Sequence, residues 1–569
     1  MSTTYNLSLL NLPVEILHHI LDYVDTSTIF LSLYDVCTYF QTVVKAYSQY
    51  RIDFCSISKL NFHRICRIIQ PETILSLTLS DDNRTPGQIK LFLSLFNINQ
   101  FTRLFSLHFI DIDDKDLYTV LCSSLTSTLT SLRIIWREYH CPSVETLDLL
   151  SITLAQLNLH RLELKTASYA ITKMVWPRQY TLKHLTLMYI THRQYCTILG
   201  QTPGLQRLTF NHCSMHEIEA TIVPTFCELL TSLTLTDSRM SINGLVSILI
   251  LTPCLTYLKI LGLPDAFEAV ADGSFWENFI RSNLTHLIQF QFYFTNMYYI
   301  SYTARDVQSL VSRFRTSFWL QEKQWFITCD YIDYLNQVML YTIPLCNPDF
   351  TYESEMQKIS YSTNSNSPHD GNIMTNDVQN LNMTLTQLIP STATKNGDLS
   401  NDYFFRNVTK LTIDVDQDWS INYVQHLSNI VDLSHIENFI FNPDLNPSLI
   451  DGTIESVNTL MALSTNLSTL AIHPYSSSSN GSMLMEELCN IIPHHIKYLE
   501  ITIRDIDSMK MILDRHEHLW SLTLFASSNQ SLPWTEFIEE LKNRNRDFTY
   551  WQSYYSLHIW LNHAERLFQ

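Results

Sequence analysis

Glycine is scarce in this chain of 569 residues, with only ten in all. No GxxxxGK(S/T) or GxGxxG stretch occurs, so the close backbone approach that cradles a phosphate has no basis here and nucleotide binding is not expected. A GxSxG nucleophile elbow is also missing. Positive charge is short as well: 37 Lys and Arg against 55 Asp and Glu give a net charge of −18. That field repels both a nucleic-acid backbone and an anionic lipid surface, and no polybasic cluster offsets it. The N-terminal stretch "MSTTYNLSLLNLP" has no basic residue before its apolar ones, so no secretory leader is expected. Long apolar runs are missing too. The nearest approach, Gly244 to Pro264, is interrupted by Pro253 and Lys259 and predicts a helix-turn-strand rather than a membrane span. The twelve cysteines include no CxxC pair, as expected of reduced thiols in the cytosol or nucleus.

What the chain does have is apolar material, 46% of its residues with a mean hydropathy of −0.02, and that material is periodic. The pattern apolar, two variable, Leu, one variable, apolar recurs as "LHRLEL" at Leu159, "LKHLTL" at Leu182, "LQRLTF" at Leu205, "LTSLTL" at Leu230 and "LTYLKI" at Leu255. Looser copies begin at Ile74, Leu104, Leu129 and Leu284, and a second series begins at Val408, Ile436, Leu467, Ile496 and Leu519. Within each series the copies are 23 to 31 residues apart, one solenoid coil per copy. Alternate residues of each short strand would point inward and stack on their counterparts in neighbouring coils. Segments of helical spacing lie between, such as Tyr195, Ile198 and Leu199, and two returns close alike with Thr202-Pro203-Gly204 and Thr252-Pro253-Cys254. The pattern resembles the leucine-rich repeat. The Asn or Cys which that family places eight residues after the first Leu is met by Cys213, while Ile190, Ser238 and Leu263 stand at the equivalent positions of other coils.

Residues 289–349 interrupt the series with aromatic, strand-like pieces and are expected to form a small α/β insert. Its core would be aromatic, or else Trp319 and Trp325 would be displayed as a binding platform. Residues 350–402 are polar and predict a disordered or weakly ordered loop, and deletion of its Asn- and Ser-rich part, 362–402, is expected to leave the fold intact.

Residues 1–48 do not follow the repeat. Pro13 suits the first position of a helix, Glu15 its first turn, and Ile16, Leu17, Ile20, Leu21 and Val24 follow helical spacing. Two further apolar segments follow. The ordered set Leu12, Pro13, Glu15, Ile16, Leu17, Ile20, Leu21, Tyr23, Val24, Leu31, Leu33, Val36, Cys37, Phe40 and Val44 resembles the F-box, with Phe40 where a Trp is usual and Thr28-Ile29-Phe30 where Asp-Leu-Leu is usual. The resemblance implies that Leu12, Pro13, Ile16, Leu17, Ile20, Leu31, Leu33 and Val36 contact a Skp-family adaptor, and through it a cullin-RING ubiquitin ligase. The expected architecture is therefore α/β: a three-helix F-box (1–48), then a leucine-rich-repeat solenoid with a curved parallel sheet and helices outside, in two halves (49–288 and 403–569) around the insertion. The function implied is a non-enzymatic substrate receptor of an SCF-type ligase. The alternative is a repeat scaffold without ligase function, its first helices acting only as a cap.

The sheet residues that point away from the core would read the target protein, among them Arg161, Glu163, His184, Arg207, Asn211, Tyr257 and Lys259. No cofactor is expected. His212, Cys213, His216 and Glu217 are the nearest approach to a metal set, but they fall at a repeat turn and are expected to be structural. His18-His19 and His494-His495 are adjacent pairs that diverge and suit a shared metal poorly.

Overall fold

The structure is a computed structural model. It describes residues 9–562 apart from 124, 138–140, 167–172, 214–226, 237–240, 263–266, 297–301, 334, 353–357, 365–374, 386–403, 416–418, 420, 444–449, 474–491, 504, 527–531 and 545–546. The fold is mixed α/β, with two large and mostly parallel sheets and many short helices.

Ten strands follow one another across the first sheet in chain order: β1 (Tyr50–Asp53), β2 (Ile74–Ser80), β3 (Ser106–Ile112), β4 (Ser131–Trp136), β5 (Arg161–Lys165), β6 (His184–Ile190), β7 (Arg207–Cys213), β8 (Ser232–Leu235), β9 (Tyr257–Gly262) and β10 (Gln289–Asn296). Every neighbouring pair is parallel. The register follows the sequence pattern. Leu132, Leu162, Leu185, Leu208, Leu233, Leu258 and Phe290 form one buried row. Ile134, Leu164, Leu187, Phe210, Leu235, Ile260 and Phe292 form the next. A one-residue slip in any strand would turn both of its row members to solvent, at about 1.5–3 kcal/mol each.

Helices between the strands are started by short polar side chains. Thr191 and Gln194 form a reciprocal cap on the helix His192–Gln201, and Ser143, Ser241 and Asp272 accept from backbone N–H groups of the helices they precede. The two Thr-Pro returns share one device. Thr202 donates to the Ile198 carbonyl at 2.7 Å and Thr252 to that of Leu249 at 3.2 Å, and both threonines are fully buried. Gly204 is required by close approach, since a Cβ there would lie 2.6 Å from the Tyr180 carbonyl oxygen. From Gly244 to Gly262 the chain forms the rest of the helix Ile242–Leu249, then a turn and β9, and residues 263–264 lie outside the described residues.

The interruption is more continuous with the sheets than its composition suggests. Gln289–Asn296 is the tenth parallel strand, not part of a separate insert; antiparallel pairing begins after it, with β11 (Phe326–Ile332) and β12 (Gln337–Ile343). Trp319 is fully buried and Trp325 is 9% exposed, so neither is displayed. They pack on Phe290, Phe314 and Phe318, which is the aromatic-cored alternative. The polar stretch 350–402 is not all loop, for two of its segments are paired strands. Lys358–Ser362 (β14) pairs with β11, and Asn380–Thr384 (β15) pairs with Asp349–Thr351 (β13) on one side. Alternation decides this locally: Leu381 and Met383 are buried while Asn380, Asn382 and Thr384 are not. Residues 365–374 and 386–403 of that stretch lie outside the described residues.

The second sheet then runs in parallel through β16 (Lys410–Val415), β17 (Asn438–Pro443), β18 (Thr469–Ile472), β19 (Tyr498–Ile503) and β20 (Ser521–Ala526). It ends in an antiparallel hairpin, β21 (Phe548–Gln552) and β22 (Ser556–Leu561), with β22 against β20. Its inner rows are Leu381, Leu411, Phe439, Leu470, Leu499 and Leu522, then Met383, Ile413, Phe441, Ile472, Ile501 and Leu524.

The loops after β1 and β2 seat on this second sheet. The Trp560 indole donates to the Ile57 carbonyl at 3.1 Å, Thr549 to that of Pro86 at 2.7 Å, and Ser521 to that of Asn83 at 2.7 Å. The Lys59 ammonium, almost fully buried, reaches Asp547 at 2.8 Å. First and last strands are thereby brought together, and part of the outward face of the second sheet is covered.

Candidate interaction surfaces

The N-terminal helical unit divides its apolar residues between two faces. Pro13 precedes the helix Val14–Leu21, whose inner side chains Leu17 and Leu21 are buried with Phe40, Val43 and Val44 of the helix Thr38–Ala46. Asp25 accepts from the Thr28 backbone at 2.8 Å and starts the short segment that buries Ile29 and Phe30. Other apolar side chains of the unit stay at its surface: Leu9, Leu10, Val14, Ile16, Ile20 and Val36 are all exposed, and Tyr23 is 93% exposed. Seven large apolar residues so placed on one small unit are more than scattered surface hydrophobes.

Of the residues expected at an adaptor contact, Pro13, Ile16, Ile20 and Val36 are exposed and Leu12, Leu31 and Leu33 are half-buried. Leu17 is a correction. At 4% exposure it belongs to the unit's own core, because the helix turns it toward Phe40 while Ile16 and Ile20 face out. Phe40, Ile29 and Phe30, where the sequence departs from the F-box pattern, are buried as well. The unit is not a freely tethered module: the Phe30 ring lies 4.6 Å from that of Tyr50 on β1, and Thr26 donates to the Arg51 carbonyl at 2.7 Å.

The second surface is the outward face of the first sheet. Strand register places Ser131, Arg161, His184, Arg207, Ser232 and Tyr257 in one lateral row, and His108, Arg133, Glu163, Thr186, Thr209, Thr234 and Lys259 in the next. Arg161 and Arg207 are exposed; His184, Asn211, Tyr257 and Lys259 are half-buried. Glu163 is buried under its cations, with Lys165 Nζ at 2.9 Å, Arg133 Nε at 3.3 Å and Arg161 at 3.9 Å. Burial, then the charges of Arg207, Arg161 and Lys183, pull the His184 imidazole below its ordinary pKa. The expected residues of this face are therefore brought together as one surface.

A third feature was not legible in the sequence. Where the ends of the chain meet, a cleft of about 720 Å³ lies between the loops after β2 and β4 and the outward face of the second sheet, with Asp82, Arg84, Arg137, Lys410, Glu500, Trp551 and His558 in its wall. Arg137 binds the buried Asp81 at 3.0 Å and lies over the Trp551 ring. Burial holds Asp81 up at about 7, opposed by the Ile89 N–H and by Arg137. His558 stacks on Trp551 at 3.9 Å and shares hydrogen bonds with Thr523 and Ser556. Burial and Arg137 press its pKa down to about 3. These residues come from strands hundreds of positions apart, and no local motif joins them.

Among the described residues no three or more His, Cys, Asp or Glu are grouped to hold a metal ion. His216 and Glu217 lie outside the described residues, as do the side chains of His212 and Cys213. His494 approaches His518, not a metal set, with ring nitrogens 3.3 Å apart. Ten cysteines are described and all are free thiols. No helix of the described residues is long and apolar enough to cross a membrane. No protein-family model matches the chain, and no curated protein is significantly similar to it.

Proposed function

We propose that the protein is the substrate-recognition subunit of an SCF-type cullin-RING ubiquitin ligase, made of an F-box and a degenerate leucine-rich-repeat solenoid. The observation that supports it most is the number of apolar side chains the N-terminal unit leaves exposed. The residues that the F-box resemblance assigns to the Skp-family adaptor and that lie at the surface, Pro13, Ile16, Ile20 and Val36, are joined there by Leu9, Leu10, Val14 and Tyr23. Exposed apolar residues of this kind are what a partner helix bundle would cover. The in-register rows of Leu, Ile and Phe, one pair per strand, are what stacked repeats require. The target protein would lie on the outward face of the first sheet, and catalysis would come from holding it near ubiquitin bound elsewhere in the complex.

The scaffold reading, in which residues 1–48 only cap the repeats, is favoured by the packing of Phe30 and Thr26 on β1. That packing means that deleting 1–48 would destabilise the fold under either reading. Surface variants separate them. Co-expression with a Skp-family adaptor should yield a co-purifying pair for the wild type and none for Ile20→Asp of unchanged melting temperature; equal recovery of both would favour the cap.

A further inference from the structure

The outward residues from β3 to β10 are at odds with the molecule as a whole. In a chain of net charge −18, the paired rows from β4 to β9 present Arg133, Arg161, Lys165, Arg207 and Lys259 with Glu163 as the carboxylate between them, while Asp53 and Asp377 stand at the two margins, near His108 and Tyr257. Glu163 is already shared: it is 2.9 Å from Lys165 and 3.3 Å from Arg133 Nε, the latter off the line that a hydrogen bond needs. The Arg161 side chain remains 64% exposed, no nearer to Glu163 than 3.9 Å, and among the described residues Arg207 has no ion-pair partner. The positive field is felt by both histidines of the face. Burial and then Arg133 and Arg161 lower His108, against the smaller opposing pull of Glu163 and Asp53, much as burial, Arg207 and Arg161 lower His184. The second sheet's equivalent face is partly filled by the loops 54–58 and 81–87, whereas on the first sheet Arg161 and Arg207 are exposed and His184, Tyr257 and Lys259 half-buried.

Spacing sets what could lie there. Neighbouring strands are about 4.8 Å apart, so Arg161 on β5 and Arg207 on β7 are separated by about 10 Å, and Arg133 on β4 and Lys259 on β9 by about 24 Å. An extended peptide advances about 3.4 Å per residue and presents a side chain to one side every second residue. About seven residues laid across the strands would span the cations and offer each a carboxylate within side-chain reach.

We infer that the open face of β4 to β9 binds an extended acidic peptide segment of seven or eight residues, rich in Asp and Glu, with its carboxylates on Arg133, Arg161, Arg207 and Lys259. It deepens the receptor reading, which supplies the target protein the segment would belong to; the binding itself needs no adaptor. The threonines at 186, 209 and 234 lie in the same row as Arg133 and can hydrogen-bond the peptide backbone between charges.

The test is fluorescence anisotropy on the full chain with a labelled octapeptide of alternating Glu and Ser. A Gln-for-Glu peptide, a peptide with phosphoserine in place of each Glu, and single-stranded RNA of equal charge serve as comparisons. The acidic peptide should bind, the Gln peptide should not, and raising NaCl from 50 to 500 mM should weaken binding at least about tenfold. Arg161→Glu with Arg207→Glu should weaken it more than about tenfold, whereas Glu163→Gln, which releases Arg133 and Lys165, should tighten it about threefold. Opposite effects of two variants cannot both come from misfolding. No response to either variant overturns the proposal, as does RNA binding of equal strength; a phosphopeptide bound more than tenfold tighter overturns the assignment to carboxylates. Adaptor binding of the same proteins is read in parallel: peptide binding without it removes the receptor reading and leaves this site, and the reverse removes this site alone.

Discussion

Ile16 and Leu17 are adjacent, similar in size and opposite in role. Leu17→Ala should destabilise the protein by about 3 kcal/mol through the cavity it leaves beside Phe40 and Val44. Ile16→Asp, at an exposed site, should change stability by less than about 0.5 kcal/mol in urea unfolding. His558 gives a pH prediction. Its pKa is about 3 when folded against an ordinary 6.5, so below pH 6.5 the unfolded chain takes up a proton that the folded one refuses. Its contribution is complete above pH 6.5 and is lost as pH falls toward 3, with a slope of at most about 1.4 kcal/mol per pH unit. His558→Gln should flatten that part of the acid limb in urea titrations at pH 7, 5.5 and 4.5. Asp547→Ala, which strands the buried Lys59 ammonium, should lower stability by about 2 kcal/mol.

At the scale of elements, the strands were readable because each repeat writes its two inward residues at fixed positions. Leu162 and Leu164, or Leu208 and Phe210, are legible as a pair and their neighbours confirm the phase. The polar stretch after residue 350 hides its strand for the converse reason: Leu381 and Met383 are only two apolar residues in an Asn- and Thr-rich setting, and what makes them a strand is pairing with Leu411 and Ile413 beyond the break. Deleting residues 358–384 should therefore abolish the native transition, as seen by circular dichroism. On the helical unit, spacing identified the apolar residues but not which would turn inward; Leu17 is decided by the position of the helix Thr38–Ala46, which local periodicity does not encode. The sheet-face residues were readable, since alternation fixes both faces of a strand at once. The cleft lined by Arg137, Glu500 and His558 was not, because it depends on where the two ends of the chain meet.

For the molecule as a whole, closure couples the first strands to the last. Trp560 is fully buried against Phe62 and bonded to Ile57, so Trp560→Ala should cost about 3 kcal/mol. It should also split a single calorimetric transition into two as the halves lose their common contact. Among the described residues, closure leaves exposed apolar side chains on the N-terminal unit and basic ones on the first sheet, and the proposed receptor would use the former for an adaptor and the latter for a target. The most direct test of that account is isothermal titration calorimetry of the full chain against a purified Skp-family adaptor. The wild type should form a one-to-one complex, and the folded double variant Ile16→Asp with Ile20→Asp should give no heat of binding. Wild-type protein that fails to bind, or a double variant that binds as the wild type does, would contradict it.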